Sequence, residues 1–159
     1  MKITILCVGK VKEAFFRDAI AEYKKRLSRY ADVQIVEVAD EKTPEGASPA
    51  EEAKILAVEG ERLLHAMSKG AYTIALAIEG KSLSSVAFAE KFDELTVSGV
   101  SHIQFVIGGS LGLAPEVLAA SDYKLSFSAM TFPHQLMRVI LAEQIYRAFR
   151  IRSGEPYHK

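Results

Sequence analysis

Short runs of apolar, β-branched residues alternate along the chain with longer segments in which apolar residues recur at helical spacing. The pattern predicts five strands, over residues 2–9, 33–38, 72–78, 102–109 and 123–128. The strands are almost continuously apolar, which is typical of strands covered on both faces. Their alternation with helices indicates an α/β fold, a mostly parallel sheet with helices on both faces. Periodicity does not supply the strand order, and by default it suggests an ordinary Rossmann-like winding.

Five helices are predicted, over residues 13–30, 48–68, 85–98, 115–120 and 134–152. In the first helix, the residues expected to face the core are Phe15, Phe16, Ala19, Ile20, Tyr23 and Leu27. The second helix has a clear start, because Ser48 is an N-cap, Pro49 suits the first helical position and Glu51 completes a capping box. By its length, the chain is expected to form a single domain over residues 1–159.

The last helix, 134–152, carries only a narrow polar stripe, formed by Glu143, Arg147 and Arg150. The rest of its surface is apolar nearly all round, so the helix must be buried on more than one side. In a chain of this size we expect the extra cover to come from a partner subunit, which predicts a homodimer. Arg138 lies inside the apolar arc and must be paired or reach a polar cavity, because an unpaired buried charge is very costly.

Charge and cysteine content narrow the class of protein. The net charge is zero, with 20 basic and 20 acidic side chains, which argues against nucleic-acid binding by bulk electrostatics alone. Residues 124–159 nevertheless carry a basic excess. The single cysteine, Cys7, cannot form an intramolecular disulfide, which fits a reducing cytoplasm. The chain has no visible targeting segment, membrane span or Cys/His metal-ligand spacing, so we expect a cytoplasmic protein without a metal.

Three segments at the ends of the later strands could bind a ligand, since open α/β sheets bind ligands at the carboxyl ends of their strands. They are residues 78–82, the glycine motif IGGSLGL at 107–113, and the uncharged loop FSAMTF that ends at Pro133. Paired glycines let a ligand approach the backbone closely. The pattern is G-G-x-x-G and follows the fourth strand, so it matches a dinucleotide motif weakly. The glycines could equally serve only a tight turn between strand and helix.

Two further features remain open on the residues alone. His134 sits near a helix start, where a neutral imidazole is favoured, and a helix-capping role is preferred over a catalytic one. The terminal Tyr157, His158 and Lys159 lie beyond the last helix without an aliphatic anchor. They form either a free tail or one that stacks on a base and moves protons at an RNA.

Two other functions compete with an RNA enzyme. One is a non-catalytic nucleotide-binding module that uses the glycine turn. The other is an acyl-transfer enzyme that uses Cys7 and His134. The second is disfavoured, because Cys7 lies in the middle of a predicted buried strand, where an inert thiol is expected.

Three segments carry a specific resemblance: IGGSLGL, the run LSFSAMTFPHQLMRVILAEQIYRA, and the terminal PYHK. Together with the ITILCVGK opening, they closely resemble the RlmH family of SPOUT-class methyltransferases along the whole chain. The resemblance implies a C-terminal trefoil knot, S-adenosyl-L-methionine as co-substrate and a homodimer that places the partner's surface beside each cofactor. It also implies methylation of N3 of a pseudouridine in 23S (large-subunit) ribosomal RNA, in the assembled ribosome.

The resemblance also assigns site residues by position. The implied cofactor contacts are Leu76, Gly108, Phe127, Ser128, Ala129, Met130, Thr131 and Phe132. The implied catalytic and RNA-contacting residues are Arg147, Tyr157 and His158, with Lys159 as a basic position. His158 is the first candidate for the base that removes the N3 proton, Tyr157 would stack on a base, and Arg147 would stabilise the imide anion or bind a phosphate. We expect this tail to act in catalysis and RNA contact, and not in folding or cofactor binding.

Overall fold

Five strands and five helices alternate along the chain in the computed structural model, which describes residues 1–159. The strands are β1 (Lys2–Val8), β2 (Asp32–Val38), β3 (Tyr72–Ser82), β4 (His102–Ile107) and β5 (Tyr123–Ser126). The helices are α1 (Ala14–Leu27), α2 (Pro49–Ala66), α3 (Ser85–Val97), α4 (Pro115–Ala119) and α5 (His134–Arg152). Every predicted strand and helix is present, and the α/β prediction is confirmed.

The largest difference from the predicted boundaries lies in β3, which continues to Ser82 where the sequence predicted a turn. This strand pairs with β5 twice, since Leu125 is the partner of both Leu76 and Lys81. Residues 77–80 form the irregularity between the two pairings. The continuation beyond this irregularity depends on β5, which lies more than 40 residues later in the chain and leaves no local pattern in the β3 sequence.

All strands in the sheet are parallel, in the order β2-β1-β4-β3-β5. The default expectation of a Rossmann-like winding was therefore wrong, because β3 lies beyond β4, whereas the Rossmann order places it beyond β2. Hydrophobic periodicity reports which residues are buried, and it carries no information on which strands are neighbours. The C-terminal trefoil knot stays a prediction from the family resemblance.

Helices cover both faces of the sheet, as predicted. On one face, α1, α3 and α5 pack together over a core of 19 buried residues that includes Ile3, Ile5 and Cys7 of β1. On the other face, α2 and α4 cover a smaller core that includes Leu6 and Val8. Successive residues of β1 thus enter opposite cores, which explains its continuously apolar sequence.

Helix α5 has no exposed residue along its 19 positions. It packs against α1 and α3 of its own chain, so part of the cover that the sequence assigned to a partner is intramolecular. Arg138 is fully buried and donates hydrogen bonds to Glu37 at 2.6 Å and to the carbonyls of Val8 and Gly9 at 3.2 and 2.8 Å. The prediction that Arg138 must be paired is confirmed.

The prediction of which residues face the core was wrong at one position of α1. Phe15 is 65% exposed and contacts Phe16 with ring centroids 4.4 Å apart, whereas Ile20 and Leu27 are buried as expected. The helix begins at Ala14, so Phe15 lies in its first turn, beyond the reach of the core.

No helix of the protein combines the length and apolar character that crossing a bilayer requires.

Candidate functional site

A cleft of about 410 Å³ opens at the carboxyl edge of the sheet, where β3, β4 and β5 end. Its walls come from the three segments that the sequence singled out. The lining residues are Leu76, Ala77, Ile78, Glu79, Ile107, Gly108, Gly109, Ser110, Leu111, Gly112, Leu113, Leu118, Leu125, Phe127, Ser128, Met130, Thr131, Phe132, His134 and Met137. Its size and largely apolar lining match those of small-molecule sites.

The glycine turn after β4 requires its glycines for close backbone approach. A Cβ at Gly108 would lie 2.3 Å from the carbonyl oxygen of Gly112, a separation that no folded protein tolerates without a backbone shift. Gly112 itself has φ +84°, in the left-handed region that favours glycine. Gly109 and Gly112 form an isolated bridge that closes the turn. The turn therefore serves a tight backbone path and also presents that backbone to the cleft.

The structure gathers seven of the eight predicted cofactor residues in this cleft: Leu76, Gly108, Phe127, Ser128, Met130, Thr131 and Phe132. Ala129 is exposed and does not line it. Sequence reasoning missed Met137, which reaches the cleft from the first turns of α5. The sequence held the necessary information, because Met137 lies one helical turn after His134 and so is expected on the same side of α5 as the FSAMTF loop.

His134 has a different environment from the one expected. The N-cap of α5 is Pro133 and no side chain caps the helix, so the capping interpretation of His134 was wrong. Its imidazole lies between the cleft and a second cavity of about 260 Å³. Its Nδ1 atom is buried without a hydrogen-bond partner. Burial, together with the positive charge of Arg138, lowers the pKa of His134, which confirms the neutral imidazole.

A polar and aromatic cluster joins the C-terminal tail to the last turns of α5. Glu143 accepts hydrogen bonds from Arg147 at 2.7 Å and from the Tyr157 hydroxyl at 2.9 Å. The Tyr157 ring packs edge-on against Tyr146 with centroids 5.0 Å apart, and the Arg147 guanidinium lies 4.6 Å from the Tyr157 ring centroid. Burial and the adjacent Glu143 carboxylate raise the pKa of Tyr157, so its hydroxyl remains a donor at neutral pH.

His158 is exposed and contacts Arg147, with its Nδ1 atom 3.2 Å from the guanidinium. A guanidinium only donates hydrogen bonds, so Nδ1 accepts and the neutral ring carries its proton on Nε2. Lys159 is exposed beside it. The structure thus brings the predicted catalytic residues Arg147, Tyr157 and His158 together.

The tail is anchored, contrary to the expectation of a tail that takes no part in folding. Glu155 pairs with Arg150 and accepts a hydrogen bond from Tyr30 at 2.7 Å. The sequence argument looked for an aliphatic anchor, whereas the anchors here are an aromatic ring at Tyr157 and an ion pair at Glu155.

The tail cluster and the cleft are separate within one chain. None of the tail residues lines the cleft. Arg147 in the cluster follows Met137 at the cleft by ten positions of α5, which corresponds to about 15 Å along the helix axis. A single chain therefore carries the cleft and the tail cluster as two separate features along one helix.

Cys7 lacks the properties of a nucleophile. It is fully buried in β1, and burial raises the pKa of its thiol to about 12. A reactive cysteine requires an accessible thiolate near neutral pH, so the structure supports the inert thiol. No group of three or more His, Cys, Asp or Glu side chains is arranged to hold a metal ion.

Comparison with known proteins gives matches over the full chain. A family model described as "Predicted SPOUT methyltransferase" matches residues 1–158. A protein named ribosomal RNA large subunit methyltransferase H from Bifidobacterium adolescentis is 64% identical over the whole of both chains. A protein of the same name from Bifidobacterium animalis subsp. lactis is 62% identical, again over the whole of both chains.

A solved structure shares the fold at low sequence identity. It is described as a probable methylase family protein from Haemophilus influenzae, and it aligns with a TM-score of 0.57 at 16% identity. The alignment covers 99% of this chain and 70% of that one. At this identity the likeness concerns the fold alone.

Proposed function

The chain belongs to the SPOUT methyltransferase family, and on that premise we propose that it transfers the methyl group of S-adenosylmethionine to N3 of a pseudouridine in large-subunit ribosomal RNA. The observation that carries the proposal is that the chain is more than 60% identical, over its full length and theirs, to proteins named for methylation of that RNA. An RNA substrate of this kind agrees with action in the cytoplasm on the assembled ribosome.

The cleft suits S-adenosylmethionine in size and in chemistry. A volume of about 410 Å³ falls in the range of small-molecule sites, and the lining combines apolar side chains with backbone groups. The space beside Gly108 that a Cβ would fill lets the ligand approach the backbone. Phe127, Phe132 and Met137 offer apolar surface to a flat adenine ring. When bound, S-adenosylmethionine supplies a methyl group activated by a sulfonium.

The tail cluster suits the RNA side of the reaction. N3 must lose its proton before it accepts a methyl group, and the Nδ1 lone pair of His158 is the accepting atom that the cluster offers. In the free protein Arg147 donates to that lone pair. We expect RNA binding to draw Arg147 onto the imide oxygen or a phosphate, which frees His158 to act as the base. Tyr157 remains protonated and is suited to stacking and to orienting Glu143.

A homodimer would bring a cleft and a tail cluster together. In one chain the cleft and the tail cluster lie about 15 Å apart along α5, so a complete site needs the tail of a partner subunit at each cleft. Sedimentation should therefore show a stable dimer at micromolar concentration. A well-folded monomer at that concentration would count against the arrangement.

Mixed dimers test the shared site directly. A subunit with Gly108→Val keeps a working tail, and a subunit with His158→Ala keeps a working cleft. If each site takes its cleft from one subunit and its tail from the other, co-expressed mixed dimers regain up to one working site in two. If each chain uses its own tail, both sites of the mixed dimer are defective and no activity returns.

The primary experiment is transfer of labelled methyl groups from S-adenosylmethionine to intact ribosomes, free subunits and stripped ribosomal RNA. The expected product is one methyl group per large subunit, placed on N3 of a pseudouridine. Binding of S-adenosylmethionine without transfer to any of the three would instead favour a non-catalytic nucleotide-binding module.

A further inference from the structure

Glu59 is a buried acidic residue on the apolar side of α2. It lies between Leu56 and Leu63, which both pack in the smaller core, and it is only 4% exposed. Charged side chains are rarely buried to this degree without an ion pair. Arg62, one turn further along α2, instead pairs with Glu41 at 2.5 Å. Glu59 therefore needs another explanation than a salt bridge.

The carboxylate of Glu59 touches the back of the glycine turn. A Cβ at Gly109 would lie 3.3 and 3.5 Å from its two oxygens and 3.2 Å from the Val8 side chain. One of these oxygens also accepts a hydrogen bond from the Glu41 backbone N–H at 2.9 Å. Glu59 thus joins two segments, the loop after β2 and the glycine turn that lines the cleft on its other side.

The next residue of α2 contacts the other end of the same segment. A Cβ at Gly60 would lie 2.7 Å from the Cβ atom of Ala114, so helix and loop approach each other too closely for any side chain there. Glu59 and Gly60 thus contact the two ends of the segment 109–114, at Gly109 and at Ala114. This segment is the wall of the cleft that carries Ser110 to Leu113.

Keeping a carboxylate in this position costs stability. Burial raises the pKa of Glu59, against the hydrogen bond from the Glu41 backbone N–H, which lowers it; the carboxylates of Asp40 and Glu41 add to the rise and Arg62 opposes it. Groups held in an unfavourable environment cluster at functional sites, where the surrounding structure compensates for them. If packing in the core were the only role of this position, an apolar residue would stabilise the fold more than a buried carboxylate does.

We propose that Glu59 is a positioning residue of the cofactor cleft, which holds the Gly108–Gly112 turn in its binding conformation from behind through its contacts with Gly109 and the Glu41 backbone. This inference rests on the proposed function, in which S-adenosylmethionine occupies the cleft. Glu59 acts on the ligand only through the turn.

Three variants test the proposal by calorimetry of S-adenosylmethionine binding and by thermal unfolding. Glu59→Met keeps the length of the side chain but removes the acceptor of the Glu41 N–H, so the turn should lose its support and the cofactor Kd should rise about tenfold, the fold-change that corresponds to the loss of one hydrogen bond. Glu59→Gln keeps an acceptor for that N–H, so its Kd should stay within about twofold of the wild type, with an equal or higher melting temperature. Glu61→Met, on the exposed side of the same helix, should change neither.

The outcomes separate a positioning role from a structural one. A Glu59→Met protein that melts earlier but binds the cofactor with the wild-type Kd well below its melting temperature would overturn the proposal. Equal losses in Glu59→Met and Glu59→Gln would overturn it too, because then the charge and not the acceptor matters. A wild-type protein that binds no S-adenosylmethionine would refute the proposed function instead.

A double-mutant cycle gives a second test that does not depend on the Met variant. Gly109→Ala places a methyl group against Glu59, so it should weaken cofactor binding more in the wild type than in a Glu59→Ala background, where room is available. Strict additivity of the two changes would show that the residues are not coupled and would overturn the proposal.

Discussion

Replacing His158 by alanine is the sharpest probe of the proposed reaction, because the side chain contributes little to folding and its loss should act on catalysis alone. The side chain is exposed, and the hydrogen bond to Arg147 is the one polar contact of its ring. Truncating an exposed residue of this kind changes the free energy of unfolding by less than about 0.5 kcal/mol. The same change removes the proposed base, so methyl transfer should fall by about 10²–10⁴-fold.

Deleting residues 157–159 should have a different signature. Tyr157 contributes an aromatic pair with Tyr146, a cation–π contact with Arg147 and a hydrogen bond to Glu143. Together these contacts are worth about 2–3 kcal/mol. At about 2–4 °C per kcal/mol for a chain of this length, the deletion should lower the melting temperature by about 5–10 °C. The expectation from sequence alone, an unchanged melting temperature, is revised accordingly.

The assay is single-turnover methyl transfer to ribosomes with saturating labelled S-adenosylmethionine, accompanied by calorimetry and thermal unfolding of each variant. Lys159→Ala is the matched control, because it is exposed and adjacent, and because losing its charge should weaken ribosome binding without removing the acceptor of the N3 proton. His158→Ala should keep the wild-type cofactor Kd and melting temperature while the rate collapses. A wild-type rate for this variant would refute the assignment of the base, and the proton would then leave through water.

Two further changes probe the cleft and the core. Gly108→Val should abolish S-adenosylmethionine binding in a folded protein, since its Cβ would strike the Gly112 carbonyl; unchanged affinity in calorimetry would place the site elsewhere. Arg138→Met should destabilise the protein by about 2–4 kcal/mol in chemical denaturation, because it leaves the carbonyls of Val8 and Gly9 without their buried donor. A loss below about 1 kcal/mol, the value of a surface pair such as Arg26 with Glu22, would contradict that reasoning.

Local features of the fold were predictable because their physics is local. The start of α2 depends on a few neighbouring residues: the Ser48 side chain accepts from the Glu51 N–H at 3.2 Å, and the Glu51 carboxylate completes the capping box. The need of Arg138 for a partner was likewise readable from its place in an apolar arc. Its partner, Glu37, lies 101 residues away and could not be named from the sequence.

Strand order and strand length were not predictable, because they depend on distant pairings. The apolar sequence of a strand shows that helices cover it on both faces, and it does not show that β4 lies between β1 and β3. Gly80 shows the same limit: it looked like a turn signal, yet it lies within β3, where a Cβ would come within 2.7 Å of the Lys124 backbone. The glycine marks a close crossing of two strands, and only the structure reveals the second strand.

The geometry of α5 supports the proposal that the tail serves the cleft of a partner subunit. Between Met137 and Arg152 the helix rises about 22 Å. The six residues from Arg152 to His158 reach about 20–22 Å only when fully extended. To reach its own cleft the tail would have to extend completely and give up the contacts of Tyr157 and Glu155. In a dimer those contacts can persist while the whole folded cluster is presented to the partner, so the anchoring of the tail is compatible with its proposed catalytic role.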